Sequence, residues 1–186
     1  MNEIKKLHTF YLHKEINRRG KVKDRFESSA EHTYSALILA QYFLPKIKQK
    51  LNELKVMKML LYHDVIEIEF GDTFILSNQH GANQKERETT AFEKLKKKIP
   101  LELAKEYEQF WEEYEENKTI EAKFAQAIDK LDPVVHSIFK KVDWRVNKFT
   151  EKKLREKKEK YFVEFPELVK FFNELIDFAN ERDYFS

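Results

Sequence analysis

The chain has 186 residues, long enough for one domain with a sizeable core. Its 35 Lys+Arg are balanced by 33 Asp+Glu, and a net charge of +2 gives no general attraction to nucleic acid or to an anionic membrane. There is no cysteine, so disulfides and thiol chemistry are excluded and any bound metal must take nitrogen and oxygen ligands.

The dominant period is helical. Leu7, Phe10, Tyr11 and Lys14 predict a first helix ending near Arg19-Gly20, and the polar, basic stretch from Gly20 to Glu27 reads as a loop. Ser28 or Ser29 caps a second helix, with Glu31 and His32 near its first turn and Pro45 closing it. A third helix is predicted from Leu51 to about Glu69, broken by Gly71. Residues 72–83 form the longest irregular segment and read as a lid beside it. Further helices are expected over Gln84 to Lys98, over Leu101 to Asn117 behind Pro100, from the cap Thr119 to about Val142, and from Pro166 to about Arg182. The lysine-rich run Lys152 to Lys160 reads as solvent-facing, and the aromatic stripe Phe162, Phe165, Phe171, Phe172 and Phe178 as core, or as a dimer surface if exposed.

Only three glycines and four prolines occur, no strand shows convincing alternation, and charged residues reach 37% against a typical quarter. The fold class is therefore all-α: one domain, residues 1–186, of about seven helices with solvated outer faces. Its metal-site core is expected over about 28–142, with a C-terminal helical extension over about 149–186. No apolar run reaches membrane-spanning length and the N-terminus lacks a signal-peptide core, so a cytoplasmic protein is expected.

The chemistry concentrates in His63-Asp64-Val65-Ile66-Glu67-Ile68-Glu69-Phe70-Gly71-Asp72-Thr73. An adjacent imidazole and carboxylate can reach one metal ion, and His32 and Asp129 are candidates to complete the set. Asp129 shares a helix face with Ala122 and Ala125, which places its carboxylate inward, where an unpaired charge is costly and a metal would compensate it. Two imidazoles with two carboxylates suit one divalent Mn, Fe, Co, Ni or Zn ion and leave positions for water and substrate. His136, two turns after Asp129, reads as a packed core histidine. His8 and His13 read as surface or inter-helix residues, His80 as a loop residue, and Lys85 and Arg87 as a solvated face.

The order His32, His63-Asp64, Asp129 resembles the H…HD…D pattern of HD-domain metal-dependent phosphohydrolases. It does so within Glu27-Ser28-Ser29-Ala30-Glu31-His32, the Glu-Ile-Glu-Phe-Gly-Asp-Thr extension after His63-Asp64, and Ala127-Ile128-Asp129-Lys130-Leu131-Asp132-Pro133. The likeness is greatest to the branch holding bacterial 5′-deoxynucleotidases and their eukaryotic relatives, and it covers roughly residues 5 to 142. It implies an HD-type helical bundle and a homodimer that hydrolyses nucleoside 5′-monophosphates. The implied ligands are His32, His63, Asp64 and Asp129. Glu67 would position water and substrate, Asp72 would contact the sugar, and Arg18 or Arg19 would contact the phosphate. Two other readings stand beside it: a phosphodiesterase or guanosine-tetraphosphate-type hydrolase of the same superfamily, and a non-catalytic, metal-stabilised helical binding module. The chain departs from its relatives in the loop Arg18-Arg19-Gly20-Lys21-Val22-Lys23, where they carry a tryptophan. The first tryptophan here is Trp111.

Overall fold

The computed structural model describes residues 2–69, 71 and 84–185. Nine α-helices and one two-stranded hairpin are formed among them. Helix α1 (Glu3–Tyr11) is capped by the Asn2 side chain, which accepts from the Lys5 amide, and passes into a 3₁₀ turn, Leu12–Glu15. The chain then departs from the single helix and loop expected from the sequence. It forms an antiparallel hairpin of β1 (Asn17–Val22) and β2 (Arg25–Ser28), turned at Lys23, whose φ is +54°. The alternation is there in burial, with even-numbered residues of β1 facing inward, but it is written in arginine, glycine and valine and leaves no hydrophobic period to read.

Helix α2 (Ser29–Phe43) begins at a capping box. The Ser28 hydroxyl accepts from the Glu31 amide, and the Glu31 carboxylate accepts from the Ser28 amide. Helix α3 is shorter than predicted, Glu53–Tyr62. His63 and Asp64 occupy a turn, and a 3₁₀ segment, Val65–Glu69, follows. The apolar residues Val65 and Ile66 stay buried through this change of helix type, which is why the period alone did not announce it. Then come α4 (Gln84–Lys98), α5 (Leu101–Glu116), α6 (Ile120–Ser137), α7 (Lys141–Val146), α8 (Glu151–Lys158) and α9 (Pro166–Glu181). Asn117, with φ +50°, ends α5 in the left-handed conformation, and Thr119 caps α6 through the Ala122 amide.

Helix α6 is the axis of the packing, touching α2, α3, α5 and α9. Its inward face is Ala122, Ala125, Ile128, Asp129, Leu131 and Asp132, with Phe124 beside it. The small residues let α2 and α3 approach, as the sequence implied. The C-terminal segment joins the same core. Phe165 meets Phe124 edge-on at 5.3 Å between ring centres, and Phe162 meets Phe172 at 5.0 Å. Phe162, Phe165 and Phe172 are buried and Phe171 and Phe178 partly so, so the aromatic stripe is core. No described helix is long and apolar enough to cross a membrane.

Candidate metal centre

His32 lies in the first turn of α2, His63-Asp64 at the end of α3, and Asp129 in the middle of α6. The packing of those three helices brings them together. His32 Nε2 is 3.3 Å from His63 Nε2 and 3.1 Å from Asp129 Oδ1. Asp64 Oδ2 is 3.2 Å from His63 Nε2 and 3.6 Å from His32 Nε2. His32, His63 and Asp129 are buried, and Asp64 is partly open to solvent.

The other nitrogen of each imidazole is already engaged. His32 Nδ1 donates to Asp132 Oδ2 at 2.7 Å, and His63 Nδ1 donates to the Leu60 carbonyl at 2.7 Å. Both Nε2 atoms therefore point lone pairs at one place, where two neutral imidazoles have no proton to share. One ion resolves the arrangement: two nitrogens each about 2.1 Å from it lie about 3.4 Å apart at the tetrahedral angle. The donor set thus fits a divalent ion with nitrogen and oxygen ligands, and His32, His63 and Asp129 offer atoms within 4.8 Å of one another.

The electrostatics agree with a cation. Burial works to lower the pKa of both histidines, but the surrounding carboxylates outweigh it: His63, beside Asp64 and Asp129, is raised well above the usual imidazole range, and His32 is raised too. Burial likewise opposes the ionisation of Asp64 and Asp129, yet both are held below the usual carboxylate range, Asp64 by His63 and Arg18, Asp129 by Lys130 and the histidines. Protons and a metal ion would compete for the same imidazole nitrogens.

Around this centre stands a supporting shell. Asp129 Oδ2 accepts from the Tyr114 hydroxyl at 2.8 Å and from Lys130 Nζ at 2.6 Å, which turns Oδ1 toward the histidines. Glu67 is buried, and its Oε2 accepts from the Ser29 hydroxyl at 2.6 Å. Arg18 is on the inward face of β1, where Nη1 donates to Asp64 Oδ2 at 3.0 Å and Nε lies 3.7 Å from Glu27 Oε2. Arg19, one residue on, is exposed on the opposite face of the strand. Of the two arginines, the structure brings Arg18 to the centre. Asp72 lies outside the described residues, as do His80 and the suspected lid.

His136 is no ligand. Its Nδ1 lies 3.0 Å from Glu27 Oε1, and its Nε2 lies 2.7 Å from Lys140 Nζ and so close to the hairpin that a Cβ added at Gly20 would stand 2.9 Å away. Glu69 is tied to Lys98 at 2.7 and 2.8 Å and holds α4.

Three contributors were not singled out as site residues from the sequence. Ser29 was read only as a possible cap, and Asp132 and Tyr114 carried no role. The signal available for Asp132 was its position one turn after Asp129, on the same inward face. His13, expected at the surface or between helices, is buried in the 3₁₀ turn that packs on α2, with Nε2 unpartnered among the described residues. Burial, and the nearby His63 and His32 against the pull of Asp64, take its pKa down to about 4, so it is neutral.

A profile described as HD domain matches residues 12–169, most of the chain. The chain belongs to the HD-domain family. This HD protein is 30% identical over 111 residues to the 5′-deoxynucleotidase HDDC2 of Bos taurus and 28% identical over 113 residues to that of Homo sapiens, covering 60% and 61% of the chain. Those stretches are 53% and 54% of the relatives, so the chain spans about half the length of the curated relatives it matches. Among solved structures, a predicted metal-dependent phosphohydrolase from Magnetospirillum magnetotacticum MS-1 superimposes with a TM-score of 0.84 at 29% identity, covering 98% of this chain and 96% of that one. An HD-domain phosphohydrolase from Listeria innocua has the same fold at 21% identity, with a TM-score of 0.69 over 94% of this chain and 88% of its own.

Proposed function

We propose that this HD protein is a metal-dependent phosphohydrolase that releases phosphate from nucleoside 5′-monophosphates, as a 5′-deoxynucleotidase. The observation that carries the reading is the convergence of His32 Nε2, His63 Nε2, Asp129 Oδ1 and Asp64 Oδ2 on one place, with both Nδ1 atoms already occupied. The names of the curated relatives support the substrate class.

His32, His63, Asp64 and Asp129 would hold the ion. When bound, a divalent ion polarises a phosphate oxygen and lowers the pKa of a water. Arg18, partly buried and fixed on β1, offers a planar fork of donors to the phosphate oxygens while keeping Asp64 oriented. Glu67, held by Ser29, accepts a proton from the attacking water as its oxygen bonds to phosphorus. The bond from phosphorus to the 5′-oxygen breaks, and the proton passes to that oxygen to give the nucleoside alcohol and inorganic phosphate. Asp72 would orient the sugar hydroxyl. A buried, hydrogen-bonded Glu67 beside the ligand set favours this reading over a non-catalytic metal-stabilised module, since a structural site needs no such carboxylate.

The test is phosphate release from a panel of ribo- and deoxynucleoside monophosphates in Mn, Co, Ni, Mg and Zn, with a phosphodiester in parallel. Release from at least one monoester and none from the diester is expected. No release from any monoester by the metal-loaded protein would refute the reading. A homodimer belongs to the same proposal. Tyr34, Ile38 and Tyr42 form an exposed apolar stripe on α2 for a second copy to cover, and sedimentation equilibrium should give twice the 22.6 kDa chain mass.

A further inference from the structure

The proposed chemistry uses Arg18 but not the chain of polar contacts behind it, which runs from the hairpin to the end of α6. Arg18 on β1 is held from two sides. Its Nη1 donates to Asp64 Oδ2 at 3.0 Å, and its Nε lies 3.7 Å from Glu27 Oε2 on β2. Glu27 is buried, and its other oxygen, Oε1, lies 3.0 Å from His136 Nδ1. Burial opposes the ionisation of Glu27, but the hydrogen bond from His136 and the Arg18 guanidinium hold it below the usual carboxylate range. An ionised carboxylate only accepts, so His136 Nδ1 carries the proton. His136 Nε2 then accepts from Lys140 Nζ at 2.7 Å, and Lys140 also donates to the Lys21 carbonyl in the hairpin. Gly20 makes room for these contacts, since a Cβ there would stand 2.9 Å from His136 Nε2 and 3.3 Å from Glu27 Oε2.

Asp64 cannot serve Arg18 as its whole counter-charge. It is a proposed metal ligand, and a divalent ion draws its charge away from the guanidinium. Glu27 is no ligand and keeps its charge on the far side of Arg18. It holds the Nε edge, so that the Nη edge turns toward the centre. His136 stands two turns after Asp129 on α6, about 10 Å along the axis. One helix thus carries a proposed metal ligand and, through His136 and Glu27, fixes the arginine. The spacing between the ion and the phosphate-binding arm is set by that helix.

We propose that Glu27 and His136 are positioning residues that hold Arg18 in place to receive the phosphate of the substrate. The inference rests on the proposed phosphohydrolase reading, which gives Arg18 its phosphate.

The test is the affinity of the Mn-loaded protein for inorganic phosphate, by calorimetry, in the parent chain, Glu27→Gln, His136→Ala, His136→Asn and the control Lys23→Gln, with Tm and Mn affinity measured on each. In parallel, exchange of the Arg18 Nε proton with water is read by NMR on the Zn-loaded protein, the resonance being assigned by its loss in Arg18→Lys. Glu27→Gln keeps the shape and removes the charge. Its phosphate affinity should fall about tenfold, its Arg18 Nε proton should exchange faster, and its loss on nucleotides should appear in KM more than in kcat. His136→Ala should lose about two- to tenfold in phosphate affinity, the contribution of one hydrogen bond. His136→Asn sets an amide donor where Nδ1 stood and should recover most of that loss, which a packing role would not. Lys23→Gln, exposed at the turn of the hairpin, should match the parent. Should Glu27→Gln prove unstable, the two His136 variants decide the matter. Parental phosphate affinity or parental Arg18 exchange in Glu27→Gln and His136→Ala would overturn the proposal, as would a His136→Asn no better than His136→Ala, or no phosphate binding by the parent. If the parent hydrolyses no nucleotide while the variants lose phosphate as stated, the positioning role stands and the nucleotidase reading falls. If nucleotides are hydrolysed and the variants behave as the parent, the role falls and that reading stands.

Discussion

Asp132 offers a direct test of how the centre is held. It is not among the proposed ligands, and its Oδ2 accepts from His32 Nδ1 at 2.7 Å in a site where His32 is fully buried. The carboxylate fixes the ring, decides which nitrogen carries the proton and makes Nε2 a better donor. In Asp132→Asn the shape stays and the charge goes. Loss of such a partner weakens a metal site about ten- to hundredfold, or about 1.4–2.8 kcal/mol. The carboxylates also hold a proton on His32 in the metal-free protein, so removing one eases proton competition and masks part of the loss near neutrality. The assay is therefore Mn and Co affinity by chelator competition at alkaline pH, with circular dichroism on the apo variant to confirm the fold. A variant that folds and binds metal within about twofold of the parent would refute the argument, because the His32 ring would then be set by packing alone.

Glu67→Gln should leave metal affinity unchanged and lower kcat about 10²-fold or more, measured as phosphate release on the best nucleotide. Glu31→Gln keeps an acceptor for the Ser28 amide but removes the charge paired with Arg25, and should lower Tm by about 1–4 °C at neutral pH. The Arg25 hydrogen bonds, then those from Ser28, hold Glu31 down at about 2 against an ordinary 4.5. Its contribution is therefore complete above pH 4.5 and lost as pH falls toward 2, so the Tm gap between variant and parent should narrow across that window. Gly20→Ala sets a methyl 2.9 Å from His136 Nε2 and 3.3 Å from Glu27 Oε2. It should destabilise the hairpin by about 1–3 kcal/mol in thermal unfolding, and raise KM through displaced Arg18 more than it lowers kcat.

The proposed metal ligands were legible because they are written as residue types in a fixed order, each at an element whose period was clear. His32 sits behind a serine cap and Asp129 on an alanine-lined face. The hairpin was not legible, since Asn17–Val22 and Arg25–Ser28 bury arginine and glutamate against the centre rather than an alternating apolar set. The end of α3 was overrun because Val65, Ile66 and Ile68 continue an apolar pattern through a turn and a 3₁₀ segment. Lys158, buried at the end of α8, was hidden among lysines. Charge does not report burial when a long stem can enter the core, and only the packing of the segment after α8 on α6 separates it from its neighbours. Asp132 and Ser29 act by holding other side chains, a role defined by contacts between helices that are distant in sequence.

The central claim is that four side chains from three helices hold one ion. Anomalous diffraction from crystals grown with Co or Mn tests it most directly. The account predicts a single strong peak about 2.0–2.3 Å from His32 Nε2, His63 Nε2 and oxygens of Asp64 and Asp129. A peak elsewhere, or none with those four side chains in their present places, would contradict it.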